Sequence, residues 1–325
     1  MCIRDSLRPA KYAIITPFAD LCFVMSANTA PQTFSKNGYT IAHRHFCHSV
    51  STNSALITAV RNSLLPSDSL HLYTADSQSG GRGQYERTWL SPQGNVYLSL
   101  YVPSNPDLVT ANALQLHRLT GALSLFVGLA LWQIPLIQRL NSALSIAHLP
   151  QLQVKWANDL GFYDPDNLIF HKLAGILIEP VLAHHTLLGV VIGVGFNVAI
   201  APPISDGLYT ATSYNTLSTK VKLETSDYQA FYAPITDALL NAVCEHNRCT
   251  LPYRHITLSD DFIQRFNCAH ALHEKPIAIY AQTATTPTVT GICQGIGTDG
   301  ALLLDTAHGT QPIFAGMAKR LPSTV

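Results

Sequence analysis

The sequence predicts an α+β fold: a sheet backed by helices, followed by a small all-β module. Two neighbouring runs, 173–179 and 186–199, are apolar and rich in β-formers, as paired central strands are. The apolar run 122–137 is short for a membrane span and reads as a buried core helix. From about Ala271 the texture changes to short β-runs split by turns.

Taken in order, residues 41–50 read as a short strand. Ser51-Thr52-Asn53 then offers capping side chains before Ala55-Leu56-Ile57 and a helix to about Ser63. Residues 70–75 and 95–102 read as strands, with a polar loop over 77–92 between them. Thr110 is the expected cap of one long helix through the 120s and 130s. Residues 151–155 form a strand ending in the Trp156-Ala157-Asn158-Asp159 turn, and 161–171 a polar loop joining it to the next strand. Gly193 and Gly195 interrupt the run 186–199, and glycine within a strand marks close approach of a ligand or another backbone. Residues 200–225 are loop-rich. Helical stretches follow over 226–268, where Pro234 is expected to kink the first. The runs 276–281, 288–295, 301–305 and 311–315 make up the β module, with Thr298-Asp299-Gly300 as a hairpin signal.

With 47% hydrophobic and 12% charged residues the chain can bury a sizeable core. Lys+Arg and Asp+Glu both total 20, so no basic footprint points to nucleic acid or an anionic membrane. The seven cysteines include no C-x-x-C pair and fit reduced thiols and a cytoplasmic location. Residues 1–24 carry an apolar stretch holding Pro17 and Asp20 without a convincing cleavage site, so no export signal is expected.

The chemistry-bearing residues cluster in a few segments. Gln78-Ser79-Gly80-Gly81-Arg82-Gly83, followed by Arg87 and Trp89, is a glycine-rich loop with an arginine at its centre. Glycines let backbone N–H groups close on an anion, and arginine grips a carboxylate or phosphate with two hydrogen bonds. Lys172, at the head of the apolar run, is placed to neutralise charge that develops during group transfer. Together these residues suggest activation of a carboxylic acid by a nucleotide. His43, His45 and Cys47 share one face of a strand, but no second ligand group at zinc-like spacing accompanies them.

Five segments carry a family resemblance: Ser51-Thr52-Asn53, Gln78-x-x-Gly81-Arg82-Gly83, Lys155-Trp156-x-Asn158-Asp159-Leu160, Lys172-Leu173-Ala174-Gly175-Ile176-Leu177 and Gly193-x-Gly195-x-Asn197. In this order the chain resembles biotin–protein ligases over roughly residues 43–325. The resemblance implies a class II synthetase-like catalytic domain over 41–270 with a mixed β-sheet backed by helices. It also implies a small SH3-like β-barrel over 271–325 and a tail, disordered or non-native, over 1–40. The implied activity joins biotin and ATP into biotinyl-5′-AMP, with Mg2+, and transfers the biotinyl group to a lysine of a biotin carboxyl carrier domain. The carrier would belong to acetyl-CoA carboxylase or a related enzyme.

By the same resemblance Lys172 and Arg82 are catalytic. Ser51, Thr52, Gln78, Gly81, Arg82, Lys172, Gly175, Gly193 and Gly195 bind biotin. Arg82, Gly83, Arg87, Trp89, Lys155, Asn158 and Asn197 bind ATP or the adenylate, with Asn158 also a metal ligand. The chain departs from the family at Gln84-Tyr85-Glu86, where basic and glycine residues are usual, at Val50, where an acid is usual, and at Ala157, where proline is common. The resemblance is to the monofunctional type, a monomer or homodimer without a DNA-binding domain, nucleic acid or membrane partner. The alternatives are a lipoate or octanoate ligase of related fold and an inactive biotin-binding protein.

Overall fold

The computed structural model describes residues 32–105, 114–204, 209–250, 256–281 and 284–322. Thr110, the expected helix cap, and residues 1–31 lie outside the described residues. The main sheet starts earlier than expected. Gln32–Lys36 (β1) and Tyr39–Phe46 (β2) pair antiparallel, so residues 32–40 belong to the sheet and not to a tail. Asn37 and Gly38 make the connection with φ of 52° and 80°, the backbone that an Asn-Gly hairpin turn requires.

Ser51 caps Thr52–Arg61 (α1), its side chain accepting from Ser54 N. Leu70–Ala75 (β3) runs parallel to β2, and Val96–Pro103 (β4) antiparallel to β3. The single long helix expected here is two, Leu123–Trp132 (α2) and Pro135–Ile146 (α3), bent by 63°. The break follows from Pro135: it excludes helical backbone at Ile134 yet suits the first position of a new helix.

Gln153–Lys155 (β5), Asp159–Tyr163 (β6), Phe170–Ala183 (β7) and Thr186–Phe196 (β8) follow as antiparallel neighbours. The expected loop 161–171 shrinks to 164–169, because residues 160–163 are buried in pairing with β7 and the Phe162 ring stacks on His171. Thr210–Ala211 (β9) pairs with β7 in parallel at His171 and Lys172. Tyr214–Lys220 (α4), Tyr232–Thr250 (α5) and Asp260–Ala269 (α6) complete this part. Pro234 does not kink α5: it lies in the first turn, where a backbone N–H has no intrahelical partner to lose.

The result is a mixed nine-stranded sheet in the order β1-β2-β3-β4-β8-β7-β6-β5, with β9 against β7. Side-chain alternation gives it two faces. Leu72, Leu98, Leu100 and Ile192 join α2, α5 and α6 in the large core, while Tyr73, Tyr101 and Val191 pack with Leu56 and Val60 of α1. No single helix among the described residues is long and apolar enough to cross a membrane, and α2 is almost wholly buried.

Pro276–Tyr280 (β10), Val289–Ile296 (β11), Leu302–Thr306 (β12), Gly309–Ile313 (β13) and Met317–Arg320 (β14) form a second, antiparallel sheet in the order β13-β12-β11-β10-β14. This is the small C-terminal β module. Ile277, Cys293 and Leu302 continue the large core, and Gly300, with φ of 84°, lies against Ala122.

Candidate active site

On the α1 face of the sheet, strand register sets two rows side by side. Ser99, Gly193 and Leu177 form one across β4, β8 and β7; Tyr97, Gly195 and Gly175 form the other. The glycines make a floor on which side chains lie directly. A Cβ on Gly193 would come within 2.2 Å of Asn53 Oδ1, and one on Gly195 within 2.5 Å of the Trp89 indole. The N-terminus of α1 stands over this floor, and a slot of about 50 Å3 runs between them, lined by Ser51, Thr52, Asn53, Gln78, Arg82, Gly175, Gly193 and Gly195.

Polar side chains at the slot's inner end are tightly connected. Thr52 N donates to Gln78 Oε1 at 2.8 Å, and Gln78 Nε2 to Ser91 Oγ at 3.0 Å. Ser99, fully buried behind the slot, meets both Thr52 Oγ1 at 2.8 Å and Asn53 Oδ1. Asn53 Nδ2 donates to Glu179 Oε2 at 2.9 Å.

The glycine-rich segment is a closed hairpin. Trp89 N donates to Gly81 O at 2.8 Å, Gly83 N to Arg87 O at 2.7 Å, and Arg82 bridges to Thr88. A Cβ on Gly81 would meet Trp89 O at 2.4 Å, so Gly81 is needed for this closure and does not line the slot. Gln84–Glu86 form the tip, with Tyr85 in left-handed backbone at φ 58°. Arg82, expected to face anionic ligand oxygens, instead makes an ion pair with Glu179 at 2.7 Å and pins the hairpin to β7.

Beyond Trp89 the slot opens into a cavity of about 520 Å3. Lys155, Asn158, Asp159, Arg87 and Tyr209 line it, and Gly316 and Met317 of the C-terminal module close it. Lys172, Asn158, Gly83 and Trp89 line both spaces. The Lys172 ammonium sits 2.7 Å from Asp159 and 5.2 Å from the ring centres of both Trp89 and Tyr209. Such a setting holds a cation in place through the carboxylate and the two ring faces. Lys155 is buried beside Phe170 and Tyr163; burial pulls its pKa down from 10.5 to about 8, with Asp159 opposing and Lys172, Arg87 and Lys319 adding to the fall. Arg87 donates to the Tyr209 hydroxyl at 3.1 Å and reaches Met317 Sδ.

The structure therefore gathers Ser51, Thr52, Gln78, Gly175, Gly193 and Gly195 around the slot, and Arg87, Lys155 and Asn197 around the larger cavity. Asn197 also accepts from Asn95 Nδ2, which makes it part of the wall. Asn158 Nδ2 donates to Ile176 O at 3.1 Å. Sequence reasoning missed Asn53 as a slot residue, Ser99, Glu179 and Tyr209. His43 and His45 lie away from both spaces; each hydrogen-bonds Thr74 Oγ1, and His45 also meets Asp76.

Residues 47–197 match the Biotin/lipoate A/B protein ligase family model. The bifunctional ligase/repressor BirA of Salmonella typhimurium is 32% identical over 127 residues, 39% of this chain and 32% of that protein. Its Bacillus subtilis counterpart is 30% identical over 132 residues, 40% of this chain and 33% of that protein. The chain thus spans about a third of the length of these curated relatives. Among solved structures, the biotin protein ligase from Aquifex aeolicus in complex with biotin and ATP superposes with a TM-score of 0.58 at 20% identity, covering 86% of this chain and 99% of that one. The Leishmania major biotin protein ligase in complex with biotinyl-5-AMP gives 0.51 at 20% identity, over 87% and 98%. The chain has the fold of these ligases, and its residues 47–197 are similar to the Biotin/lipoate A/B protein ligase family.

Proposed function

We propose that this chain is an ATP-dependent biotin–protein ligase. The observation that carries the reading is the meeting of two compartments at one lysine: a narrow slot with a polar inner end, and a larger cavity rich in cations, share Lys172 in their wall. An acid lying along the slot would bring its carboxylate to Lys172, and a nucleotide in the cavity would bring its α-phosphate to the same ammonium.

In the first step a biotin carboxylate oxygen attacks the α-phosphorus of ATP. The bond to the bridging oxygen breaks, pyrophosphate leaves, and biotinyl-5′-AMP forms. Lys172 stabilises the charge shared by the carboxylate and the phosphoryl oxygens, and Arg87 and Lys155 supply further positive charge to the phosphates. Magnesium takes one or two protein oxygens alongside phosphate oxygens. Asn158 and Asp159, one amide and one carboxylate, fit that demand, and the ion would screen phosphate charge. The hairpin 81–89 lies over the junction, where it keeps water from the mixed anhydride. In the second step a lysine of a biotin carboxyl carrier domain attacks the acyl carbon and AMP leaves; no nucleophile of this chain is required.

ATP–pyrophosphate exchange with purified protein and Mg2+ tests the reading. Exchange dependent on biotin, and absent with lipoate or octanoate, supports it. Exchange with lipoate or octanoate alone moves the chain to the other branch of the family, and a folded sample inactive with every acid refutes adenylation.

A further inference from the structure

We propose that Tyr209 is a positioning residue that sets two cations of the larger cavity from a single ring: its face holds Lys172 and its hydroxyl holds Arg87. This inference rests on the ligase reading and adds to it the part that aligns its positive charges.

The two cations reach the cavity from different parts of the chain. Lys172 stands near the head of β7, and Arg87 belongs to the hairpin 81–89. Like charges on separate supports do not keep a common geometry by themselves, because repulsion drives them apart. Tyr209, which also lines the cavity, meets both. The Lys172 ammonium lies 5.2 Å from the centre of its ring, within the range at which a ring face attracts a cation. Arg87 Cζ is farther from the same centre, at 5.9 Å, but Arg87 Nη1 donates to the Tyr209 hydroxyl at 3.1 Å. Arg87 is thus gripped at the oxygen and Lys172 at the face, and chemistry can separate the two contacts.

Sheet register fixes the ring. β9 starts one residue after Tyr209 and pairs with β7, Thr210 with His171 and Ala211 with Lys172. Thr212 N then donates to Lys172 O at 2.9 Å. The backbone beside Tyr209 is therefore bound to the backbone of Lys172 itself, so a ladder and not two free side chains sets the approach of ring and ammonium. Arg87 is held in turn within the hairpin, where Gly83 N donates to Arg87 O at 2.7 Å. The Arg87–Tyr209 contact fastens that hairpin beside β9, as the Arg82–Glu179 pair fastens it to β7.

The choice of a phenol has a reason. Arg82 has a carboxylate for a partner, whereas among the described residues no carboxylate pairs with Arg87. Its side-chain contacts are the Tyr209 hydroxyl and Met317 Sδ. A hydroxyl and a thioether orient a guanidinium without the countercharge that a carboxylate brings, and its other N–H groups stay free for phosphate oxygens. Tyrosine supplies a face and an acceptor from one rigid plane; phenylalanine would supply the face alone. In this scheme Tyr209 acts through Lys172 and Arg87 and takes no part in the bonds that form or break.

Pyrophosphate exchange by the full chain with biotin and Mg2+ tests this division of labour. Tyr209→Phe keeps the face and removes the acceptor, so KM for ATP should rise about tenfold, the worth of one hydrogen bond to a charged group, with kcat within about twofold. Tyr209→Leu removes both, so the same rise in KM should be joined by a fall in kcat of about fivefold as Lys172 loses its ring. In an Arg87→Met background Tyr209→Phe should add less than about twofold, since the hydroxyl has nothing left to orient, while Tyr209→Leu should still lower kcat. Tyr209→Met, longer and more adaptable, provides the reading if the leucine variant does not fold. Equal effects of the phenylalanine and leucine variants on KM and kcat, additive losses for Tyr209→Phe in the Arg87→Met background, or unchanged kinetics in folded variants overturn the positioning role while leaving the ligase reading intact. Absence of exchange by the unsubstituted chain overturns both.

Discussion

Lys155 offers the sharpest quantitative test. Its ammonium is buried beside Phe170 and Tyr163 with three other cations near it, and its pKa falls from 10.5 to about 8. Keeping the proton in the folded chain is therefore harder by about 3 kcal/mol. The free protein would lose a cavity charge just above neutral pH. For the proposed reaction, kcat/KM for ATP in pyrophosphate exchange should be flat to about pH 8 and then fall about tenfold per pH unit. Lys155→Arg keeps its proton throughout and should flatten the profile, even at lower activity. The stability consequence has a definite sign. Between pH 8 and 10.5 the unfolded lysine holds a proton that the folded one has released, so stability rises with pH across that window. Lys155→Met should accordingly be more stable than the unsubstituted chain at pH 7 in urea titrations. A profile that stays flat to pH 10, or an arginine variant that falls in parallel, would refute the assignment of Lys155 to the nucleotide phosphates.

Three further outcomes are expected. His43 and His246 are lowered by burial to about 4, and His270 to about 3. Folded protein thus resists protons that the unfolded chain accepts below about 6.5, and the urea midpoint should drop steeply from pH 6.5 to 5; an unchanged midpoint would contradict the burial. Lys172→Met should reduce biotin-dependent exchange about 10²- to 10³-fold while calorimetry still detects biotin, and equal loss of both would recast the lysine as a binding group alone. Gly195→Ala should expel the Trp89 indole, on which the new methyl would fall, and shift tryptophan emission to the red; an unshifted spectrum would show that the floor yields instead.

Much of the fold is legible because its strongest signals are local. The apolar runs that become β7 and β8, the Ser51 cap of α1 and the turn-divided β module need no knowledge of distant contacts. β1 is harder: Asn37-Gly38 is a hairpin signal, but Gln-Thr-Phe-Ser-Lys shows little apolar alternation, since its burial pattern is largely exposed. Part of the site is hidden for a different reason. Ser99 sits in an apolar strand and looks like any small residue; only the register of β4 against β8 sets it opposite Gly193 and beside Asn53. Glu179 and Tyr209 likewise gain meaning from Arg82 and Arg87, at separations that periodicity does not span.

The closing of the larger cavity by Gly316 and Met317 has a consequence for how the protein is made. Every residue of the slot lies between Ser51 and Gly195, whereas the wall opposite Arg87 comes from a segment translated long afterwards. On the proposed ligase reading, every residue lining the acid slot is translated before the segment that closes the nucleotide cavity. Biotin could then serve as an early folding ligand, favouring the native sheet by mass action while the ribosome is still at work. ATP would gain its full site only with the last strands, so an unfinished chain would hold the vitamin without being able to activate it.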